Sequence, residues 1–164
     1  RQRVLTAQAA RDKAMSMLRR CGGLDAAADR YPAQLSSGMQ RRVEIVRALM
    51  NEPRLLLLDE PFRAMDTVSK AAMHRHLLDV HALFPKTVVF ITHDLEEAIY
   101  LSDTVFVMTT RPGRIKRVLR VDLPRPRTRD MLASLHYLDI KRQVAADVHA
   151  EARKAFERGE RELA

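Results

Sequence analysis

The segment "LLLLDE" at residues 55–60 constrains the fold more than any other stretch, because four consecutive leucines lead directly into two carboxylates. A short run that is apolar throughout and soon followed by Pro61 is typical of a strand buried on both faces of a parallel sheet. Open parallel sheets place their ligands at the carboxyl ends of their strands. The sequence therefore predicts that Asp59 and Glu60 stand where a ligand would bind.

The remaining periodicity predicts an α/β chain. Apolar residues recur at helical spacing near 10–18, 39–50 and 73–84, and "TVVFIT" and "TVFVMT" are typical of two more buried strands. Ser36 or Ser37 is placed to cap the second helix. "RPGR" predicts a turn into a half-exposed strand, and a long helix begins after about Asp130. Together these elements imply a parallel sheet with flanking helices and a hairpin.

Composition excludes some classes of protein. With 164 residues, of which 46% are hydrophobic, the chain is long enough for one ordinary globular core. Its longest apolar runs are the length of strands and far below the ~20 residues that span a bilayer. Cys21 is the only cysteine, so it has no partner for an intrachain disulfide, and we interpret it as a small apolar helix residue.

Positive charge is concentrated in the C-terminal third. The net charge is +8, and from Arg111 onward 14 Lys and Arg face 8 Asp and Glu, which gives +6 of that total. Such a surface could suit nucleic acid or an anionic membrane. The more common explanation for a charged tail is that water solvates it, so charge alone does not assign a partner.

Asp59, Glu60 and His93 each follow the end of a predicted strand. A carboxylate in this position can hold Mg²⁺ through water, and a second one can orient and deprotonate an attacking water. A histidine could donate to a transferring phosphoryl group. Each residue also has a simpler explanation, since the carboxylates could be helix caps or solvated strand ends and the histidine could be structural.

Four motifs follow one another in the order found in the ATP-binding cassette (ABC) ATPases, which the chain therefore resembles. "LSSGMQRRVEIVRAL" is similar to the signature motif of that family, and "LLLLDEP" is similar to its Walker B strand. "FRAMD" is similar to its D-loop, and "ITHD" is similar to the segment that carries its switch histidine. "YPAQLSSGM", "THDLEEAIYLSD" and "RPGRI" are further similar to the ATPases of bacterial nitrate, sulfonate and taurine importers. The resemblance implies the C-terminal part of a P-loop NTPase domain that binds and hydrolyses ATP and drives import of a small anionic solute.

The resemblance also implies the role of each site residue. Glu60 and His93 would be catalytic, Asp59 would hold Mg²⁺ through water, and the residues that bind ATP would be Ser36, Gly38, Gln40 and Asp66. Ser36 and Gly38 would face the γ-phosphate of a nucleotide bound by a second subunit, with Gln40 supporting their loop and Asp66 acting across the dimer interface.

Partners and organisation follow from the same resemblance. We expect a second ATPase subunit in a homodimer, transmembrane permease subunits, a periplasmic binding protein that acts indirectly and no nucleic acid, with the chain peripheral at the cytoplasmic face of the bacterial inner membrane. Residues 1–52 would belong to the helical signature subdomain, 53–124 to the ATPase core and 125–164 to a basic, mainly helical tail.

Three departures from the family pattern stand out. Ser37 replaces the first signature glycine, which would strain the backbone if φ were positive there. Arg63 replaces a small D-loop residue and brings a long cation near the expected dimer interface. The chain also contains no G-x-x-x-x-G-K-[ST] phosphate loop, so we expect a C-terminal fragment that does not hydrolyse ATP alone.

Two alternative functions stay open. The chain could be a cassette that only pairs with a partner and does not hydrolyse ATP, or a soluble cassette protein that acts on nucleic acid.

Overall fold

The computed structural model describes residues 6–157 and 159, which form alternating helices and strands. The main elements in chain order are α1 (Ala7–Arg20), α2 (Ser37–Leu49), β1 (Leu55–Asp59), α3 (Thr67–Leu83), β2 (Thr87–Ile91), α4 (Leu95–Leu101), β3 (Thr104–Met108), β4 (Ile115–Arg120) and α5 (Leu135–Glu157). The predicted helices and strands are confirmed. Within the described ranges, no helix is both long and apolar enough to cross a membrane.

Packing divides the chain into two compact units, residues 1–89 and residues 90–164. The first holds α1, α2, β1 and α3, and the second holds α4, the β3 and β4 strands and α5. This division does not test the three predicted segments 1–52, 53–124 and 125–164, which stay a prediction.

The core of the first unit is formed by the apolar faces of α1, α2 and α3. Buried apolar residues on α2 and α3 include pairs three or four positions apart, as expected of an amphipathic helix. The buried apolar residues of the three helices are Met17 on α1, Ile45, Val46 and Leu49 on α2, and Met73, Leu77 and Val80 on α3. Cys21, at the C-terminal cap of α1, is also buried, and this burial raises the pKa of its thiol. Cys21 therefore acts as the small apolar residue that the sequence predicts.

A serine fixes the start of α2. The Ser36 backbone is extended, and its Oγ accepts a hydrogen bond from the Met39 amide at 3.3 Å. Ser37 is already the first helical residue. Of the two capping candidates, Ser36 is therefore the cap.

Strands β1 and β2 pair in a two-stranded sheet, with α3 between them along the chain, the connection that parallel strands require. The prediction that both faces of these strands are buried is wrong. Leu55 and Leu57 in β1 and Val89 and Ile91 in β2 are exposed, whereas Leu56 is buried. Successive side chains of a strand point to opposite faces, and the described residues cover only one of them.

Strand β3 pairs with β4 in an antiparallel hairpin, with Val105 opposite Leu119 and Phe106 opposite Val118. The predicted hairpin is confirmed, but β3 lies in this separate ladder and not in one sheet with β1 and β2. The inner face of the hairpin packs on α4 and α5. The buried cluster consists of Ile99, Val105, Val107, Leu119, Val121, Leu123, Tyr137, Ile140 and Val144.

Ionic contacts attach α5 to β4. The Lys116 ammonium donates to the Asp147 carbonyl at 2.8 Å and lies 2.9 Å from Oε1 of the buried Glu151. Arg117 reaches Oδ2 of Asp147 at 3.1 Å. Hydrogen bonds from Lys116 and then Lys154 lower the pKa of Glu151 from 4.5 to about 2. Lys116 and Arg117 of β4 are thus paired within the fold.

Replacing Glu151 with Gln should weaken the acid dependence of stability in the second unit. Because the folded-state pKa of Glu151 is depressed, its contribution is complete above about pH 4.5 and is lost as pH falls toward about 2. Urea unfolding followed by circular dichroism over this range should show a smaller loss for Glu151→Gln than for the unchanged chain. Glu157→Gln, an exposed control on the same helix, should keep the original slope. Equal slopes in all three proteins would contradict the assignment.

Replacing Ser36 with Ala should destabilise the chain by about 1 kcal/mol, because the side-chain cap of α2 is lost. Ser37→Ala is the matched control, since Ser37 is exposed and already helical, and it should change the free energy of unfolding little. Urea unfolding measures both variants. A larger loss for Ser37→Ala than for Ser36→Ala would show that the cap is assigned to the wrong serine.

Candidate functional site

The N-terminal end of α2 presents free hydrogen-bond donors. The amides of the first helical turn have no partner inside a helix, and the helix dipole makes this end attractive to anions. The Ser36 Oγ satisfies the Met39 amide, and the hydroxyl hydrogen of Ser36 remains available to donate. Ser36 is exposed and Gly38 is half-buried. This end of the helix can therefore hold an anionic oxygen.

The backbone at Ser37 and Gly38 does not require glycine. Neither residue has a positive φ, and a Cβ at Gly38 would meet no atom within 4 Å. The concern that serine strains position 37 is therefore not supported. Packing within the described residues therefore leaves room for a side chain at Gly38.

Gln40 holds the loop that precedes α2. Its Nε2 donates to the Pro32 carbonyl at 2.8 Å and to the Leu35 carbonyl at 3.1 Å. One side chain thus joins the turn before the helix to the helix itself. This bonding fixes where Ser36 enters the helix.

Asp59 and Glu60 lie where β1 ends. Asp59 is the last residue of the strand and is exposed. Glu60 follows with a positive φ of 40°, a conformation uncommon for a residue with a side chain. Its Oε2 lies 3.3 Å from Nη1 of Arg63. The long cation that replaces the small D-loop residue therefore contacts the carboxylate predicted to be catalytic.

Two buried residues anchor the turn after Glu60. Pro61 and Phe62 are almost fully buried, and the Phe62 ring lies 5.2 Å from the His74 ring on α3, measured between centroids. Ala64 then adopts a positive φ of 62°. Burial of Phe62 thus fixes a turn whose backbone is held in the left-handed region at two positions, and it sets the position of Glu60.

Asp66 caps α3. Its Oδ1 accepts hydrogen bonds from the Val68 amide at 3.0 Å and the Ser69 amide at 2.9 Å. Hydrogen bonds from Ser69 hold the pKa of Asp66 below its ordinary value, with the side chain of Ser69 contributing most and its backbone amide next. Asp66 is exposed. Asp66 therefore has a structural function within this chain as the cap of α3. Its function across a dimer interface stays a prediction.

His93 belongs to the second unit, between β2 and α4, and is exposed. The residues on either side of it are fixed. The Thr92 hydroxyl donates to Glu97 at 2.6 Å and accepts from the Asp94 amide at 3.0 Å. Asp94 caps α4 by accepting hydrogen bonds from the Glu96 and Glu97 amides. The loop thus holds the histidine backbone at the start of a helix.

The described structure places the predicted residues in three local groups. Ser36, Gly38 and Gln40 share one end of α2, Asp59, Glu60 and Asp66 border one turn, and His93 lies on its own loop. Sequence reasoning missed the contact between Glu60 and Arg63, although their spacing of three residues in a turn could have indicated it. It also missed the bond from Thr92 to Glu97. Among the residues described, no three His, Cys, Asp or Glu side chains are grouped as a metal site.

Comparison with known proteins follows the same motifs. The ABC transporter family model matches residues 2–63. An uncharacterized ABC transporter ATP-binding protein of Methanocaldococcus jannaschii is 49% identical over 115 residues, which are 70% of this chain and 43% of that protein. The nitrate import ATP-binding protein of Synechococcus elongatus is 44% identical over 74% of this chain and 19% of its own length. An aliphatic sulfonates import ATP-binding protein of Bacillus cereus is 38% identical over 83% of this chain and 50% of its own length.

Solved structures agree with these relatives. An ATP-binding cassette of an ABC transporter in its ADP conformation superposes with a TM-score of 0.63 at 25% identity, covering 85% of this chain and 52% of that one. The dimeric structure of a bacterial ABC transporter cassette superposes with a TM-score of 0.58 at 27% identity, covering 76% of this chain and 52% of that one. The chain spans about half the length of most of these proteins. On its motifs, its fold and these relatives, the chain belongs to the ATP-binding cassette family of ABC transporter ATP-binding proteins.

Proposed function

We propose that this chain is part of the ATP-binding and ATP-hydrolysing subunit of a bacterial ABC importer of the nitrate and sulfonate type. The observation that carries the proposal is the turn after β1, where burial of Phe62 holds Asp59 and Glu60 at the end of an apolar strand. The relatives named for nitrate and aliphatic sulfonates support a small anionic solute.

In this proposal the end of α2 serves a nucleotide held by a second subunit. The Ser36 hydroxyl and the Gly38 amide would donate to its γ-phosphate, because both lie at a helix N-terminus that favours anions. Gln40 would keep their loop in place through its bonds to the Pro32 and Leu35 carbonyls. The open space at Gly38 fits close approach by a phosphate.

The strand end would carry the hydrolytic chemistry. Mg²⁺ commonly uses one or two protein carboxylates together with substrate phosphates, which fits a single exposed Asp59 acting through water. Glu60 would orient and deprotonate the attacking water, and Arg63 would limit the conformations of its carboxylate. His93 would contact the γ-phosphate, and Asp66 would act across the dimer interface. ATP bound with Mg²⁺ supplies the phosphoryl group.

The partners we propose are a second ATPase subunit, transmembrane permease subunits and, indirectly, a periplasmic binding protein. The dimeric cassette structure supports the first of these. The chain would be peripheral at the cytoplasmic face of the inner membrane. Nucleic acid is not proposed, because basic residues of the C-terminal third pair with acidic residues of the same unit. These ion pairs are Lys116 with Glu151, Arg117 with Asp147, Arg125 with Asp103 and Arg142 with Asp139.

Two conservative substitutions test the roles at the strand end, in a cassette completed with a phosphate-binding loop. Glu60→Gln keeps the shape of the side chain but cannot accept the proton, so Mg-ATP should still bind while hydrolysis falls by about 100-fold or more. Asp59→Asn removes a charge that Mg²⁺ favours, so metal-dependent affinity for ATP should fall together with turnover. Equilibrium titration with Mg-ATP and a phosphate-release assay measure the two effects.

Asp12→Asn is the control for loss of one exposed carboxylate on α1, and it should change neither binding nor hydrolysis. The roles would be reversed or wrong if Glu60→Gln abolished binding of Mg-ATP while Asp59→Asn bound it normally.

A further inference from the structure

A cavity of about 360 Å³ lies in the first unit, away from the residues proposed to bind ATP. It is bordered by α1, by the loop after the C-terminal end of α2 and by the segment between α3 and β2. Its volume is that of a small-molecule site. Because α2 has 13 residues, the cavity is at the opposite end of the helix from Ser36, about 20 Å along its axis.

The cavity has an excess of positive charge. Lys13, Arg20 and Lys86 line it together with one carboxylate, Glu52. Lys13 lies 2.6 Å from Oε1 of Glu52, and this hydrogen bond, with the charges of Lys13 and Lys86, holds the pKa of Glu52 below its ordinary value. Within the described part of the chain, Arg20 and Lys86 have no ion pair of their own. Glu52 therefore balances the charge of Lys13, and the charges of Arg20 and Lys86 are not balanced by an ion pair among the described residues.

The cavity also has an apolar side. The Arg20 guanidinium lies over the Phe84 ring, 4.5 Å from its centroid, which fixes the orientation of the cation. Stacking occupies the face of the guanidinium and leaves its N–H groups at the edge available to an acceptor. Met17 and Leu49 are buried where they border the cavity. A ligand with a short carbon skeleton and several negative charges fits these walls.

The geometry points to a binding site for a small organic anion that carries two or more carboxylate or phosphate groups. Arg20 and Lys86 bind the anionic groups, Lys13 contributes when it is not occupied by Glu52, and the skeleton packs on Met17 and Leu49. The ligand connects α1, the end of α2 and the segment before β2, so it stabilises the helix whose other end carries Ser36 and Gly38. The site does not depend on the proposed nucleotide binding.

Isothermal titration of the 164-residue chain with citrate tests the site. We expect one citrate per chain with a Kd of about 1 mM or tighter at low ionic strength. Added NaCl should weaken binding, because salt screens the charges. Arg20→Gln combined with Lys86→Gln should raise the Kd at least about tenfold. The matched control is Arg30→Gln with Arg47→Gln, which removes two exposed cations of the same unit that do not line the cavity, and it should leave the Kd unchanged.

Glu52→Gln gives a test of opposite sign. Among the described residues that line the cavity, Glu52 is the one carboxylate, so removing its charge frees Lys13 and citrate should bind severalfold more tightly, an effect that loss of folding cannot produce. Circular dichroism checks that each variant is folded. The inference is wrong if citrate does not bind the unchanged chain, if the control pair weakens binding as much as the cavity pair, or if Glu52→Gln leaves the affinity equal or lower.

Discussion

Burial of Phe62 is the contact on which the proposed chemistry depends. The turn after β1 places Glu60 and Ala64 in the left-handed region of backbone conformation, which costs free energy for residues with a side chain. Burying an aromatic ring stabilises a protein by about 1.5–3 kcal/mol, which offsets part of the roughly 1–3 kcal/mol that each such residue costs. The ring of Phe62 packs beside His74 on α3, so the turn is attached to the helix that follows it. Asp59 and Glu60 are thereby held at the strand end, and Asp66 begins α3 at the far side of the same turn.

The sequence predicted the features that depend on local physics. The leucines of β1 and the β-branched residues of β2 indicated strands. Ser36 and Ser37 were the two candidates for the cap of α2, because short polar side chains satisfy the first amides of a helix, and the structure selects Ser36. The roles of Asp59, Glu60 and His93 came from the order of motifs, and the structure adds the contacts around them. These features need only neighbouring residues or fixed spacing.

Features that depend on packing between distant segments were missed or wrong. A run that is apolar throughout is suited to burial on both faces but does not show that another segment covers each face, so the exposure of Leu57 and Ile91 was not predicted. The pairing of β3 with β4 alone also depends on partners elsewhere in the chain. The basic C-terminal third was interpreted as solvated, yet Lys116 and Arg117 pair with acidic residues of α5 that lie thirty or more positions away.

We propose that the start of α2 binds the phosphate of a nucleotide held by a second cassette. Hydrogen–deuterium exchange of this chain, mixed with a complete cassette whose catalytic Glu is replaced by Gln, measures this contact at the start of α2. The amides of residues 37 and 38 should become protected only when Mg-ATP is present, and Ser36→Ala should reduce this protection. If the two proteins associate but these amides stay unprotected, or if protection is equal without nucleotide, the start of α2 does not bind the phosphate.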